Sequence, residues 1–464
     1  MTDGNIESIS NLPDSWSLVR LGDIAKSKSG FGFPITKQGK KDGEFPFFKV
    51  SDMNLLGNEK FMLTSNNWID SLTLKELKAK TFPKSAIVFP KIGAALLTNK
   101  KRILVRDSVI DNNVMAVVVN DESECLPNYL YQWFLTLDLG RIANPGTVPS
   151  LTARRVEEMK LPLPPFSEQI KIAGILSLVQ QAIEQQERLL QLTAELKKTL
   201  LHQLFTQGLH GELQKQTEIG LVPESWAATT LGELACKPNG FLQTGPFGSQ
   251  LHKQDYQPDG IGVINPTHLS GNRINHEHVP RVSLETAARL NRHLLQAGDI
   301  LFARRGEIGR HGMVTKDEEN WLCGTGCFLA RVRQKHIDNR FLSHQFSTQG
   351  AIAWLNSHAA GAIMPNLNNR VLRSMPIFYP SRATQVEIAN TLDAVEQKLA
   401  INQRKRATLT DLFRTLLHQL MTAQIRVHDI DMPDIGQSES RAVPSDFTAA
   451  FRSSPTKGEI LAES

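Results

Sequence analysis

Thr199-Leu200-Leu201-His202-Gln203-Leu204 returns letter for letter, 216 positions on, as Thr415-Leu416-Leu417-His418-Gln419-Leu420. At the same shift Ile172-Ala173 meets Ile388-Ala389, Gln169 meets Gln385, Pro164 meets Pro380, Arg154 meets Arg370, and Pro149-Ser150-Leu151 meets Pro365-Asn366-Leu367. Further upstream Ile87-Val88-Phe89-Pro90-Lys91-Ile92-Gly93 matches Ile300-Leu301-Phe302-Ala303-Arg304-Arg305-Gly306. Pro13-Asp14-Ser15-Trp16, Leu21-Gly22-Asp23-Ile24 and Gly30-Phe31 match Pro223-Glu224-Ser225-Trp226, Leu231-Gly232-Glu233-Leu234 and Gly240-Phe241. A six-residue identity in a register fixed by a dozen further matches is not chance. The chain is a tandem duplication of a unit of about 210 residues.

Each copy has two parts. The first, residues 12–165 and 222–380, is rich in Gly, Pro and aromatic residues and holds short strand-like runs. These are Phe45–Val50, Ala86–Phe89, Arg102–Val105 and Met115–Val119, then Ile261–Ile264, Asp299–Ala303 and Phe328–Val332. With a helical stretch at Tyr129–Leu139 interspersed, the pattern predicts two tandem mixed α/β domains. The second part, 166–206 and 381–422, reads as one long helix. In the second copy Ile388, Leu392, Val395, Leu399, Asn402, Arg406, Leu409, Phe413, Leu416 and Leu420 step 4-3-4-3, a heptad seam. The first copy repeats it from Ile172 to Leu204 through Gln186, Thr193 and Lys197. Each helix is about 60 Å long, too long for a domain of this size to cover. Pairing the two as an antiparallel coiled coil buries both seams, with polar Gln186, Asn402 and Arg406 fixing the register. The linker 207–221, with Gly208, Gly211 and Gly220, must let the chain reverse, and residues 423–464 read as a mobile acidic tail.

The 464 residues are 41% hydrophobic and 21% charged, with a net charge of +5. Too long for one core, they suit an ordinary multidomain globular protein. No apolar run nears the roughly 20 residues that cross a bilayer, and the acidic N-terminus MTDGNIESIS is unlike a secretory signal. Four cysteines make no disulfide framework, so a reducing cytoplasm is expected. The charge sits in two basic blocks, +5 over 12–165 and +4 over 222–380, separated by neutral helix. That suits a phosphate-backbone partner.

A search for chemistry returns little. No G-x-x-x-x-G-K-[ST] loop exists, and Leu163-Pro164-Pro165-Phe166 lacks the asparagine of an amino-methyltransferase signature. Glu76-Leu77-Lys78 and Glu158-Met159-Lys160 have no repeat counterpart and read as surface ion pairs. Cys323 and Cys327 align with Ile110 and Val114, so buried apolar positions are expected rather than zinc ligands. The His residues are dispersed. No catalytic or metal residues are assigned. What recurs is a basic turn: Lys91-Ile92-Gly93 before Lys100, Lys101 and Arg102 in the first copy, and Arg304, Arg305 and Arg310 around Gly306 and Gly309 in the second. Glycine allows close backbone approach while Lys and Arg reach phosphates and base edges, so these seven are the candidate DNA-binding residues. Gly146–Arg154 and its counterpart Gly361–Arg370, just before each long helix, are expected to be a hinge or a second DNA-facing loop.

The P-x-S-W…L-G-[DE] openings, Phe45-Pro46-Phe47-Phe48-Lys49-Val50-Ser51-Asp52-Met53-Asn54, the Gly298–Arg310 run and Pro164-Pro165-Phe166-Ser167-Glu168-Gln169 leading into a long helix resemble the specificity subunit of a type I restriction–modification enzyme. The resemblance covers nearly all of residues 12–422. It implies two target-recognition domains, each reading half of a split site in double-stranded DNA, with the helices as the spacer. It also implies two docked methyltransferase subunits that carry S-adenosylmethionine, and a motor-nuclease subunit. The chain would bind no cofactor and catalyse nothing itself. The second copy departs from the motif where Thr384 stands at the place of Glu168. The alternative is a DNA enzyme with an unrecognised methyltransferase or nuclease site of its own.

Overall fold

The computed structural model describes residues 12–144, 146–236, 238, 240–359 and 366–427. It forms two compact units, one running to Gln185 and resuming at Lys405, the other spanning Gln186–Arg404. Each unit therefore owns the first half of one long helix and the second half of the other. The helices run Phe166–Thr206 and Arg382–Met421.

In unit one a five-stranded sheet takes the order Ala25–Ser29, Val114–Val119, Ile87–Pro90, Arg102–Leu104, Phe61–Met62. The Val-Met-Ala-Val-Val-Val strand is apolar throughout because both its faces are covered. Met115 and Val117 join Ile87 and Phe89 in one core, while Val114 and Ala116 join Val88 in another. Unit two repeats the device in a four-stranded antiparallel sheet ordered Phe241–Thr244, Cys327–Arg331, Ile300–Ala303, His311–Met313. There Ile300, Phe302, Phe328 and Ala330 line one core and Leu301, Ala303, Cys327 and Leu329 the other. Cys323 and Cys327 are buried in that second core, as Ile110 and Val114 are in theirs. The predicted helix Tyr129–Leu139 breaks in two, Pro127–Thr136 and Leu139–Ile142. Asp138 causes the break by accepting from the Gly140 and Arg141 amides as the cap of the second piece.

The helices pair antiparallel. In unit one Ile172, Ala173, Ile175 and Leu176 pack with Leu417, Leu420 and Met421. In unit two Leu204 and Phe205 pack with Ile388, Ala389 and Leu392. The start of one helix meets the end of the other both times. At mid-seam Gln186 and Asn402 are buried, while Arg406 is exposed. The segment between the helices is built rather than loose. Gly208, Gly211 and Gly220 take positive φ, and Gln214–Thr217 pairs with Gly220–Pro223 as a hairpin. Beyond the second helix, residues 423–427 are packed, with Val427 in the core of unit one. The rest of the expected mobile tail, and Gly361–Pro365 of the expected second loop, lie outside the described residues. Among the described residues no helix is long and apolar enough to cross a membrane.

Candidate nucleic-acid interface

Each globular domain is fixed to its helix by a buried glutamine. Gln169 accepts from the Leu126 amide at 2.8 Å and donates to the Glu124 and Pro164 carbonyls. Gln385 accepts from the Asp338 amide at 2.9 Å and donates to the His336 and Pro380 carbonyls. Three hydrogen bonds at the same places in both copies make this side chain a hook between domain and spacer. Glu168, its neighbour, also faces inward. It accepts from Trp16 Nε1 at 2.9 Å and pairs with Arg426 at 2.8 Å. In the second copy Thr384 cannot reach so far, and among the described residues the buried Trp226 indole N–H has no partner. The Glu-Gln pair thus holds the fold.

Deeper along the same junction the two copies diverge. In unit one Gln132 donates to Gln180 at 2.9 Å, and Lys60 reaches Ser177 at 3.3 Å. The positions 216 residues on are Glu396 and Asp393. In unit two Asp393 accepts from buried His344 at 2.8 Å and pairs with Arg340 at 3.1 Å. Glu396 takes Lys197 of the other helix at 2.7 Å and Arg273 at 3.5 Å. Burial pushes the Asp393 carboxyl up, but His344 and Arg340 together hold it below the usual range. Lys197 therefore occupies a seam position by finding an acid, which the heptad reading alone does not show. Burial brings Lys60, also unremarked in the sequence, down to about 8.

The seven candidate residues do not all face solvent. Lys91 is half-buried, with Nζ on Ser29 Oγ at 2.8 Å, and Lys100 bonds Asn54. Lys101 is 2% exposed, its ammonium donating to Asn99 Oδ1 and the Leu137 carbonyl, each at 2.7 Å. Burial lowers its pKa to about 8 against the opposing pull of Asp138. Arg102 lies along the protein, donating to the Lys101 and Met53 carbonyls. Lys101 is thus buried and Arg102 half-buried, each head group held on oxygens of the protein. A Lys-Lys-Arg run looks uniformly basic, but alternation as the strand begins sends Lys101 inward. In unit two Arg304 is half-buried and Arg305 exposed. Arg310 pairs with Glu307 at 2.7 Å and reaches the Pro266 carbonyl.

The turns are braced from the stretch before each helix. The Gly93 amide bonds the Pro149 carbonyl and the Leu151 amide the Lys91 carbonyl, with Ile92 bridged to Ser150. In unit two the Leu367 amide bonds the Arg304 carbonyl and Arg305 bridges Asn366. The two regions singled out separately in the sequence are thus one surface in each unit. Lys91 and Lys100 supply its cations in unit one, Arg304, Arg305 and Arg310 in unit two. Among the described residues no three His, Cys, Asp or Glu gather as a metal-ligand set.

Comparison with known proteins agrees with the duplication and the fold. The model of the type I restriction modification DNA specificity domain matches residues 13–194 and again 223–411. The chain is 22% identical over 431 residues to the type I restriction enzyme MjaVIII specificity subunit of Methanocaldococcus jannaschii, covering 90% of this chain and 95% of that one. It is 23% identical to the EcoBI specificity subunit of Escherichia coli, covering 95% and 93%. Among solved structures, the S subunit of a type I restriction-modification system from M. genitalium superposes with a TM-score of 0.59 at 14% identity, covering 91% and 99%. With both copies matched and nearly the whole chain aligned, the protein belongs to the type I restriction modification DNA specificity family.

Proposed function

We propose that this chain is the DNA-recognition subunit of a type I restriction–modification complex. Each unit reads one half of a bipartite site in double-stranded DNA, and the paired helices set the gap. Two methyltransferase subunits, holding the S-adenosylmethionine, act on an adenine in each half-site, and a motor-nuclease subunit completes the assembly in the cytoplasm. The chain itself carries no reaction. The observation that supports this reading is the duplicated surface, one basic turn per recognition domain, each braced by the stretch leading into a rigid helix. Docking on the spacer is favoured by apolar side chains on its outward faces. Leu189, Leu192, Leu196 and Ile401 are 41–58% exposed in unit two, and Leu178 and Leu412 are exposed in unit one.

Mapping methylated adenines in DNA exposed to the chain with and without its methyltransferase partner tests the proposal. A split motif methylated only when both are present is expected. Methyl transfer by the purified chain alone would overturn it in favour of an enzyme with its own site. Affinity for duplex DNA should fall steeply with salt.

A further inference from the structure

Beside the basic turn each recognition domain carries a second exposed feature. In unit one the loop from Gly30 to Glu44 turns Phe33 inward, stacked on buried Phe47 with ring centroids 3.7 Å apart. Two residues on, Ile35 is 86% exposed. The loop is held. Gln38 Nε2 donates to the Phe33 carbonyl at 2.8 Å and the Gly39 amide to Asn67 Oδ1 at 2.9 Å. Lys37 and Lys40 pair with Glu76 and Asp70, the end and the cap of the short helix Ser71–Glu76.

Unit two builds the same module from different residues. At a shift of 212, Pro34-Ile35 falls on Pro246-Phe247 and Gln38 on Gln250. Phe247 is 58% exposed, its amide donating to Gln250 Oε1 at 3.0 Å, while Leu251 is buried. Arg289 of the short helix Leu284–Arg289 donates to the Gln250 carbonyl at 2.8 Å and pairs with Asp255 at 3.5 Å. Leu72 and Leu284, at the head of each short helix, are also exposed in both copies.

The loops share a footing with the basic turns. In unit one the Phe31 amide bonds the Ile110 carbonyl, the Asn112 amide the Phe31 carbonyl, and the Lys91 amide the Asn113 carbonyl. In unit two the Gly245 amide bonds the Cys327 carbonyl and the Arg304 amide the Gly326 carbonyl. One turn, Ile110–Asn113 or Gly324–Cys327, thus seats both features of each copy. A single exposed apolar side chain is ordinary. A large one kept outward at matching places, on tied loops rooted beside cations, calls for something apolar to meet it.

We propose that Ile35 and Phe247 contact bases, each in the half-site of its own unit, by apolar contact with base edges and above all with thymine methyl groups. The inference rests on the DNA-recognition reading of the chain. The basic turn then supplies attraction that is blind to sequence, and the loop tip supplies discrimination. The two contributions separate cleanly, because an ammonium or guanidinium on a phosphate releases counterions and a hydrocarbon does not.

The test is binding of the full chain, in complex with its methyltransferase partner, to duplexes varied at each position and titrated over salt. I35A and F247A should each bind the cognate duplex about tenfold more weakly and lose preference at a position in one half-site only. Their slope of log affinity against log salt should stay that of the wild type, and F247L should retain part of the preference. R305A should instead weaken all duplexes and flatten the slope. Wild-type affinity and preference in both loop variants would overturn the proposal. So would a loss common to all duplexes with a flatter slope, or loss of the methyltransferase with base preference intact. A wild-type complex that discriminates between no duplexes would overturn the recognition reading itself, a result distinct from any of these.

Discussion

Lys101 offers a sharp test, since a lysine in a basic run and a lysine under the surface behave oppositely. Its ammonium is buried on two carbonyl-type oxygens, with a pKa lowered from 10.5 to about 8 by burial. At ~1.4 kcal/mol per unit, holding the charge inside costs about 3 kcal/mol relative to the neutral amine. Lys101→Met removes that cost but strands the Leu137 carbonyl and leaves Asn99 Oδ1 with only the Leu139 amide. Lost partners cost about 1–3 kcal/mol each, so the net change at pH 7 is small. The pH dependence carries the signature. Below pH 8 both the folded and the unfolded chain hold the proton. Between pH 8 and 10.5 the unfolded chain keeps it and the folded one releases it, so wild-type stability gains about 1.4 kcal/mol per pH unit from this group. Lys60 contributes in the same sense, while Cys125 and Tyr131, both raised to about 12 by burial, lose stability as pH climbs past their ordinary values. The difference between wild type and K101M isolates Lys101. Urea unfolding at pH 7, 8, 9 and 10 should show that difference moving in favour of wild type by about 2.5 kcal/mol in all. In the DNA assay K101M should keep the wild-type salt slope, and K100A should flatten it by about one. A flat pH difference, or a K101M slope reduced as in K100A, refutes the buried assignment.

Residues 1–215 expressed alone should form a symmetric dimer that prefers an interrupted palindrome of the upstream half-site, but a weak one. Lys197, which meets Glu396 in the intact chain, would there face Gln180, the residue 216 positions before it. Replacing it by the residue of its own counterpart, Phe413, should tighten the dimer in sedimentation; a folded monomer would refute the helix pairing. Gln169→Leu and Gln385→Leu should each cost about 2–4 kcal/mol by calorimetry, since each orphans buried backbone groups. Four residues inserted between 193 and 200 lengthen the spacer by one turn, ~6 Å, and should widen the tolerated gap or abolish binding while each half-site's base preference stays unchanged in methylation mapping.

The helices and the duplication were legible because both are periodic, and a period needs no knowledge of what packs on what. Ile172, Leu176, Ile388 and Leu392 lie in the cores to which the seam assigns them. The basic turns were legible only as a region. Whether Lys101 points out or in depends on the phase of a three-residue strand against the carbonyl of Leu137, 36 positions away. Charge at pH 7 gives no hint of it. Gln169 and Gln385 were visible as a motif, but a polar pair at a helix start reads equally as a surface for partners or as a hook. Only the backbone groups of Leu126 and Asp338 decide for the hook.

The duplication makes each unit a control for the other, and the comparison separates scaffold from reader. What the copies keep is what backbone geometry demands: the glutamine hooks, the sheets apolar on both faces, and the bridge from each basic turn to the stretch before its helix. What they rewrite falls into two places. One is the junction with the spacer, where Gln180 and Ser177 become Glu396 and Asp393 and gather His344, Arg340, Arg273 and Lys197. A charged junction demands its own partners, so either domain can change its loops freely but cannot move to the other helix start without its counter-charges. The other is the exposed surface, where Lys91 and Ile35 become Arg304 and Phe247 on unchanged footings. Ile for Phe and Lys for Arg keep the class of contact and alter its reach. If the two recognition domains read different bases from the same frame, as proposed, that division of labour is what the reading requires.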